Sequence, residues 1–196
     1  MTAQMHDKFL YEGEELSITK IGCDLGWSPQ RDLRLRPEAV SSGCWRGYKI
    51  FLAIDEEKQL FISRLGINLY KVAESRHEYG HIIGPKINGI MPEIDRDRDG
   101  LGFNNIYEGV NIPLGVTGEI VISKNFIQEM YVHMGYQDSN RFATVFELNF
   151  QDGKLVGEED ISSEMARERS KLPEADGFEG MREIANGRTT HLRPEE

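Results

Sequence analysis

The residue pattern with the clearest chemical meaning is H-E-x-x-H, which the chain spells as His77-Glu78-Tyr79-Gly80-His81. On an α-helix this spacing places two imidazoles on one face, where they bind zinc. The glutamate beside them then acts as general base on the zinc-bound water. The pattern raises the hypothesis of a zinc-dependent hydrolase of the metallopeptidase type, with His77 and His81 as metal ligands and Glu78 as the catalytic residue.

The residues around this pattern disfavour the hypothesis. A zincin helix needs apolar residues on its inner face, whereas residues 74–76, just before His77, are polar. Pro85 ends any helix a few residues later. Ile87 occupies the position where a third histidine ligand would fall. Three carboxylates farther along are alternatives for that ligand, and nothing selects among them: Glu93, Glu108 and Glu119. A surface loop with solvated histidines is the preferred interpretation.

A second pattern is typical of the start of a calcium-binding loop. Asp95, Asp97 and Asp99 alternate before Gly100. An EF-hand then needs a bidentate glutamate at loop position twelve, which is Ile106 here. We therefore predict a solvated charged turn and no bound cofactor. Zinc is the first alternative to this prediction, and calcium is the second.

Nucleophilic catalysis has weak support. The chain contains no G-x-S-x-G motif, P-loop or Rossmann fingerprint. A thiol nucleophile would need Cys23 or Cys44 beside a histidine such as His133. Cys44 lies at an apparent strand start, where a small buried thiol is the usual outcome. We therefore expect a protein that is not an enzyme.

Two short segments combine large aromatic side chains with an arginine and a histidine. Their candidate binding residues are Trp45, Arg46, Tyr48, Tyr131, His133 and Tyr136, with Met134 beside them. The preferred interpretation places these side chains in the core, with Arg46 paired to a buried acid such as Glu147. The alternative is an exposed binding surface, because aromatic residues and arginine are enriched in interface hot spots.

Hairpin signals dominate the rest of the sequence. Apolar or alternating runs at residues 50–54, 118–123 and 145–150 predict strands. Asp152-Gly153 predicts a two-residue hairpin turn, because that turn needs positive φ. The fold class predicted is α+β and predominantly antiparallel β, a hairpin-rich sheet or partly open barrel with one or two short helices.

The clearest helix is predicted near the C-terminus, over "ISSEMARERSKL", with Asp160 as N-cap and Pro173 as stop signal. A second short helix is predicted in "SKNFIQEMYVHMGY". We expect one domain over residues 1–172, with an irregular insertion at about 68–111, and a polar tail over residues 173–196.

Composition limits the class of partner. The chain of 196 residues has a net charge of −10 and a pI near 5.1. This charge disfavours nucleic acid, because phosphate contacts need clustered lysine and arginine. No signal peptide and no apolar run of membrane-spanning length is visible. We expect a cytoplasmic protein with two reduced thiols and no membrane partner.

Several segments together resemble a widespread group of small bacterial proteins without established activity. "SSGCWRGYKIFLAIDEEKQLFI" resembles the C-W-R-G-Y segment and hairpin of that group, and "TGEIVISKNFIQEMYVHMGYQ" resembles its Y-V-H-M-G-Y segment. "INGIMPEI" is a third similar stretch. The resemblance covers about residues 7–171. It implies a shared architecture and cytoplasmic location, and it assigns no site residues.

The function expected is macromolecular binding, because no catalytic constellation is evident and the protein is acidic. Its most concrete form is an immunity-type inhibitor of a basic toxin domain, since an acidic surface steers a cationic partner. Two alternatives remain: the zinc-dependent hydrolase described above, and a domain that binds an unidentified small ligand.

Overall fold

The computed structural model describes residues 2–72, 79–94 and 102–172. Within these ranges the strands are β1 (Lys8–Tyr11), β2 (Glu14–Ile21), β3 (Tyr48–Ile54), β4 (Leu60–Ile67), β5 (Tyr70–Val72), β6 (Tyr79–His81), β7 (Asn105–Pro113), β8 (Gly118–Phe126), β9 (Phe142–Gln151) and β10 (Lys154–Asp160). The α-helices are α1 (Pro29–Asp32) and α2 (Ser162–Ser170), and single 3-10 turns cover Gln128–Met130 and Ser139–Arg141. None of the helices in these ranges has the length and apolar character needed to cross a bilayer.

Eight of the strands form one sheet in the order β10-β9-β8-β2-β1-β3-β4-β7. Every neighbouring pair is antiparallel except β1 and β3, which run parallel at the middle of the sheet. β5 and β6 form a separate hairpin. The prediction of an α+β fold with a mainly antiparallel sheet is confirmed. The insertion predicted at about 68–111 overlaps the main sheet, because β7 begins at Asn105.

The sheet is curled, so that strands from its two halves meet at one end. The backbone N–H of Leu60, at the start of β4, donates to the carbonyl of Gly153 over 2.8 Å. The N–H of Leu155, in β10, donates to the carbonyl of Lys58 over 2.9 Å. These bonds join the β3–β4 hairpin to the β9–β10 hairpin, and the result is a partly open sheet.

The core lies on the inner face of the curled sheet. Successive residues of a strand point to opposite faces, so alternate residues of β1 and β2 are buried, whereas β3 is buried at five consecutive positions. Phe9, Leu52, Ile62, Ile120 and Leu148 each have 0% of their surface exposed. They come from five different strands, and removing their apolar surface from water is the main stabilising contribution to the fold.

The strands at 50–54, 118–123 and 145–150 and the turn at Asp152-Gly153 agree with the sequence predictions. In this turn φ is 50° at Asp152 and 81° at Gly153. The β1–β2 turn has nearly the same geometry, with φ of 50° at Glu12 and 82° at Gly13. Two consecutive positive φ values define the turn type that fits the twist of a tight hairpin.

The C-terminal helix is confirmed. The carboxylate of Asp160 accepts a hydrogen bond of 2.9 Å from the N–H of Ser162, the first residue of α2, but the N-cap position itself is occupied by Ile161 and not by Asp160 as predicted. The second predicted helix is wrong. β8 continues to Phe126, which pairs with Phe142, and only one 3-10 turn follows. Pairing in the sheet outweighs the weak helical periodicity of this segment. Pro173 and the polar tail lie outside the described residues.

The two hairpin turns allow a paired test of steric packing. A Cβ added at Gly153 would overlap the carbonyl oxygen of Leu114 and the side-chain amide of Gln59, whereas a Cβ at Gly13 meets nothing within 4 Å. Gly13→Ala therefore carries only the cost of positive φ, about 1 kcal/mol. Gly153→Ala is expected to lower the free energy of unfolding by about 3 kcal/mol or more. Urea unfolding followed by circular dichroism measures both, and equal losses would contradict the packing described.

Candidate functional site

The N-terminal segment, residues 2–7, brings together two loops that are far apart in the sequence. The N–H of Gln4 donates to the carbonyl of Gly135 over 2.8 Å, and the N–H of Met5 donates to the carbonyl of Gly43 over 2.8 Å. The side-chain oxygen of Gln4 accepts a hydrogen bond of 3.1 Å from the N–H of Trp45. The segment therefore lies between the loop before β3 and the loop after β8.

An ion pair holds the end of this segment. Arg46 donates two hydrogen bonds to the carboxylate of Asp7, of 3.0 Å and 2.8 Å. Asp7 is 6% exposed, and it also accepts a hydrogen bond of 2.9 Å from the N–H of Ile50 in β3. Arg46 pairs with a buried acid, as predicted, but that acid is Asp7 and not Glu147. Glu147 lies on β9, where its carboxylate accepts a hydrogen bond from Asn149.

The electrostatics of the pair follow from its burial. Burial alone lowers the pKa of the Arg46 guanidinium, but the charge and hydrogen bonds of Asp7 outweigh it, so the pKa rises above its usual value. Burial raises the pKa of Tyr48 and of Tyr136, with partial compensation by the Arg46 charge. Both phenols are therefore protonated at neutral pH and are available as hydrogen-bond donors.

The large side chains on the two loops that contact the N-terminal segment are exposed. Trp45 is 54% exposed, Tyr131 and Tyr136 are each 46% exposed, and Met134 is 44% exposed. We call these four residues, together with the exposed His133, the aromatic surface. The core placement predicted for them is wrong, because they lie on loops outside the inner face of the sheet. Among the remaining candidates, Tyr48 is half-buried and packs against the core with its ring 6.5 Å from that of Trp27.

The loop that carries most of the aromatic surface is tied internally. Gln137 accepts a hydrogen bond of 3.0 Å from the N–H of Val132 and donates one of 2.7 Å to the carbonyl of the same residue. The guanidinium of Arg141 donates to the carbonyl of Met130. The ring of Tyr136 packs against that of His6 at a centroid distance of 5.3 Å. The exposed rings therefore project from an ordered backbone.

The sequence analysis missed the N-terminal half of this site. Gln4, His6 and Asp7 occur in the polar segment "TAQMHD", which carries no motif. Their partners lie far along the chain: Asp7 and Arg46 are separated by 39 positions, and Gln4 and Trp45 by 41. No local pattern indicates such contacts, because both partners are common residue types in ordinary loops.

Only part of the predicted zinc pattern lies within the described residues. His77 and Glu78 lie outside them. Tyr79–His81 forms β6, so these three residues have neither the helical backbone that a zincin requires nor the loop of the preferred interpretation. The ring of His81 is 5.0 Å from that of Tyr70, and its Nδ1 lies 3.2 Å from the amide nitrogen of Asn104.

The carboxylates considered as a third ligand have other contacts. Glu119 pairs with Lys20, Glu108 lies 3.5 Å from Arg64, and the backbone of Glu93 bridges to Ile106. Within residues 2–72, 79–94 and 102–172, no three histidine, cysteine or acidic side chains are close enough to share a metal ion. Asp95, Asp97 and Asp99, the residues of the calcium prediction, lie outside the described residues.

Neither cysteine has the surroundings of a nucleophile. Cys44 is buried, as predicted, and its thiol donates to the carbonyl of Tyr48 over 3.3 Å. Burial raises the pKa of both Cys44 and Cys23. Both thiols are therefore protonated at neutral pH, and a protonated thiol is a poor nucleophile. His133 is exposed, with its ring 6.5 Å from that of Tyr131.

A cavity of about 510 Å³ lies elsewhere, beside the connection between β2 and β3. Its apolar lining includes Leu25, Trp27, Leu33, Ile87, Ile112 and Leu114. The indole N–H of Trp27 is buried and has no hydrogen-bond acceptor among the described residues. This cavity is the place in the structure where the small-ligand alternative has physical support.

Comparison of the chain with protein-family models, with curated proteins and with solved structures found no match. The resemblance to the group with C-W-R-G-Y and Y-V-H-M-G-Y segments therefore stays a prediction. Arguments about function rest on the geometry of the described residues.

The Asp7–Arg46 pair predicts a large stability effect. Asp7→Ala leaves the Arg46 guanidinium and the Ile50 N–H without their acceptor, and we expect a loss of about 3–5 kcal/mol in the free energy of unfolding. Glu119→Ala removes the more exposed pair with Lys20 and is expected to cost less than about 1 kcal/mol. Urea unfolding of the two variants is the measurement. Similar losses would show that Asp7 and Arg46 contribute no more than a surface pair.

The buried imidazole of His6 is expected to lower the free energy of unfolding in acid. Its Nδ1 lies 2.9 Å from the carbonyl of Ile18 and donates to it, while its Nε2 is buried without a partner among the described residues. Burial lowers the pKa of His6, and the nearby charges of Lys8 and Lys49 lower it further, against the Ile18 hydrogen bond and the charge of Asp7.

Because the unfolded chain binds the His6 proton more readily than the folded protein, the free energy of unfolding falls as the pH drops below about 6.5. His6→Asn is expected to flatten this fall between pH 7 and pH 5 in urea unfolding. His133→Asn, which alters an exposed histidine, should keep the wild-type slope. An unchanged slope in His6→Asn would contradict the assignment.

Proposed function

We propose that this protein acts by binding another protein through the aromatic surface. The observation that carries the proposal is the exposure of Trp45, Tyr131 and Tyr136, each close to half accessible, on loops held by an ion pair whose carboxylate is buried. Large aromatic side chains supply contact area at little cost in side-chain entropy, and they are enriched at the centres of protein interfaces.

The framework beneath the surface supports this function. The Asp7–Arg46 pair and the hydrogen bonds of Gln4 and Gln137 hold the three segments in place before a partner arrives. A preorganised surface loses less conformational entropy on binding than a loop that must first be ordered. The arrangement therefore suits recognition of a folded partner.

The charge of the chain favours a basic partner. A net charge of −10 raises the rate of association with a cationic protein and disfavours acidic ones. The concrete form of the proposal is an immunity-type inhibitor of a basic toxin domain, acting in the bacterial cytoplasm without catalysis. In this form the aromatic surface supplies most of the affinity and the acidic charge supplies the association rate.

The test compares the wild type with Trp45→Ala, Tyr136→Ala and a control, Ile83→Ala, which truncates a side chain that is 58% exposed elsewhere. Immobilised protein captures basic proteins from its host, and the captured partner is purified for calorimetry. We expect Trp45→Ala to weaken binding about 30-fold, or about 2 kcal/mol, as for an interface hot spot. Ile83→Ala should remain within about twofold.

The immunity form has its own measurement. The purified partner, expressed alone, should arrest growth, and co-expression of the wild type should restore it. Trp45→Ala should restore growth less well. A partner that binds Trp45→Ala as tightly as the wild type contradicts the role of the aromatic surface. A partner without effect on growth contradicts the immunity form only.

Binding of a small ligand is the second candidate, because the buried indole N–H of Trp27 lacks an acceptor beside an apolar cavity. A neutral apolar molecule with one acceptor oxygen would suit this lining. Calorimetric titration of small molecules found in a screen measures binding, with Trp27→Phe as the variant expected to lose it. The zinc-dependent hydrolase has no supporting observation among the described residues and stays a prediction from sequence.

A further inference from the structure

One edge of β10 is not paired with a strand of the sheet, and this edge begins at the turn between β3 and β4. β10 is the terminal strand of the sheet and pairs along its length with β9. Its other edge makes one strand-like contact, the hydrogen bond from Leu155 to Lys58. After Leu155, no further backbone hydrogen bond on this edge joins β10 to a strand within the part of the chain that the structure describes.

An apolar groove lies beside this edge. Its volume is about 380 Å³, and its apolar walls come from β1, β3 and β10: Leu10, Tyr11, Ala53, Ile54 and Leu155. Two apolar side chains stand exposed near it, since Leu10 is 45% exposed and Val156 is 62% exposed. We call the free edge of β10 and this groove the open side of the sheet.

Acidic residues border the open side because β1 and β3 run parallel. Parallel strands end at the same edge, so the β1–β2 turn and the β3–β4 turn lie side by side. Glu12 and Glu158 line the groove, and Glu56 and Glu57 are exposed in the neighbouring turn. Among the described residues, Lys58 is the one cation that lines the groove. Burial, and after it the nearby Glu158 carboxylate, raises the pKa of the Tyr11 hydroxyl above its usual value.

We propose that the open side receives an extended basic segment of a partner protein, which adds to the free edge of β10 as a further strand. Main-chain hydrogen bonds to the free edge would supply affinity, as in other cases of strand addition. Alternate side chains of a strand point to opposite faces, so the segment carries lysine or arginine toward Glu12 and Glu158, which line the groove, and apolar residues on its opposite face, where Val156 is exposed. The surface differs from the aromatic surface and goes beyond the function proposed above.

The length of the free edge sets the length of the segment. Residues 156–160 follow the last hydrogen bond to the β3–β4 turn, and a strand rises about 3.3 Å per residue. A segment of about six to eight residues therefore covers the free edge and reaches the acidic turns. Charge complementarity selects a basic segment over an acidic one.

The experiment uses the full chain and a capped eight-residue peptide of alternating lysine and valine, titrated at about 50 mM salt by calorimetry and by amide chemical shifts. Saturable binding is expected, with shifts on β10 and at both acidic turns. The alternating glutamate and valine peptide should not bind.

The double variant Glu12→Lys, Glu158→Lys should weaken binding of the basic peptide about tenfold or more. The matched control is Glu164→Lys with Glu129→Lys, which makes the same change in net charge elsewhere and should weaken binding less than about threefold.

Backbone recognition is tested with two N-methylated peptides, one methylated at the lysine amides and one at the valine amides. Strand addition uses one edge of the peptide, so one version should lose binding at least about tenfold while the other keeps it. Equal binding of both versions would show attraction by charge alone and would overturn the proposal. Absence of saturable binding, or equal binding of the acidic peptide, would overturn it as well.

Two further variants separate this proposal from structural effects and from the function proposed above. Glu158→Gln keeps the size and polarity of the side chain while it removes the charge, so weaker binding in this variant supports the charge role without loss of the fold. Unchanged binding in Glu158→Gln and in the Glu12→Lys, Glu158→Lys pair would overturn it. Trp45→Ala should bind the peptide as the wild type does, and a loss there would assign the peptide to the aromatic surface instead.

Discussion

The arrangement around the N-terminal segment depends on one buried carboxylate, that of Asp7. It is the one acidic side chain among the buried residues of the described ranges. It accepts two hydrogen bonds from Arg46 and one from the backbone of β3, so it joins the segment, the Trp45 loop and the sheet in a single contact. A buried carboxylate is tolerated only when its oxygens are satisfied, and the three donors meet that condition.

Several cations lie near this carboxylate and depend on it. Lys49 is 4% exposed, and burial together with neighbouring positive charge lowers its pKa to about 8. The charge of Asp7 acts in the opposite direction on Lys49 and on His6. The ring of Phe51 also contributes, with the Lys49 amine 5.0 Å from its centroid and the Arg64 guanidinium 3.4 Å from it. One carboxylate thus moderates the cost of burying both Lys49 and Arg46.

The curvature of the sheet accounts for the distribution of its surfaces. Because β1 and β3 are parallel, the starts of both strands lie beside the aromatic surface, and their ends lie beside the acidic turns. The chain therefore presents aromatic side chains at one end of these strands and carboxylates at the other. Joining of the β3–β4 and β9–β10 hairpins closes the sheet at one end, and β10 has no second strand partner after Leu155 among the described residues.

Local chemistry in the sequence determined the strands, the Asp152-Gly153 turn and the C-terminal helix. Alternation, positive-φ turn residues and a capping aspartate act within a few residues, so they are readable without coordinates. Only the tertiary structure decided that Arg46 pairs with Asp7 and that Trp45 and Tyr136 face solvent. Those outcomes depend on which distant segments meet. An aromatic residue next to a strand has the same local sequence whether the neighbouring loop covers it or leaves it exposed.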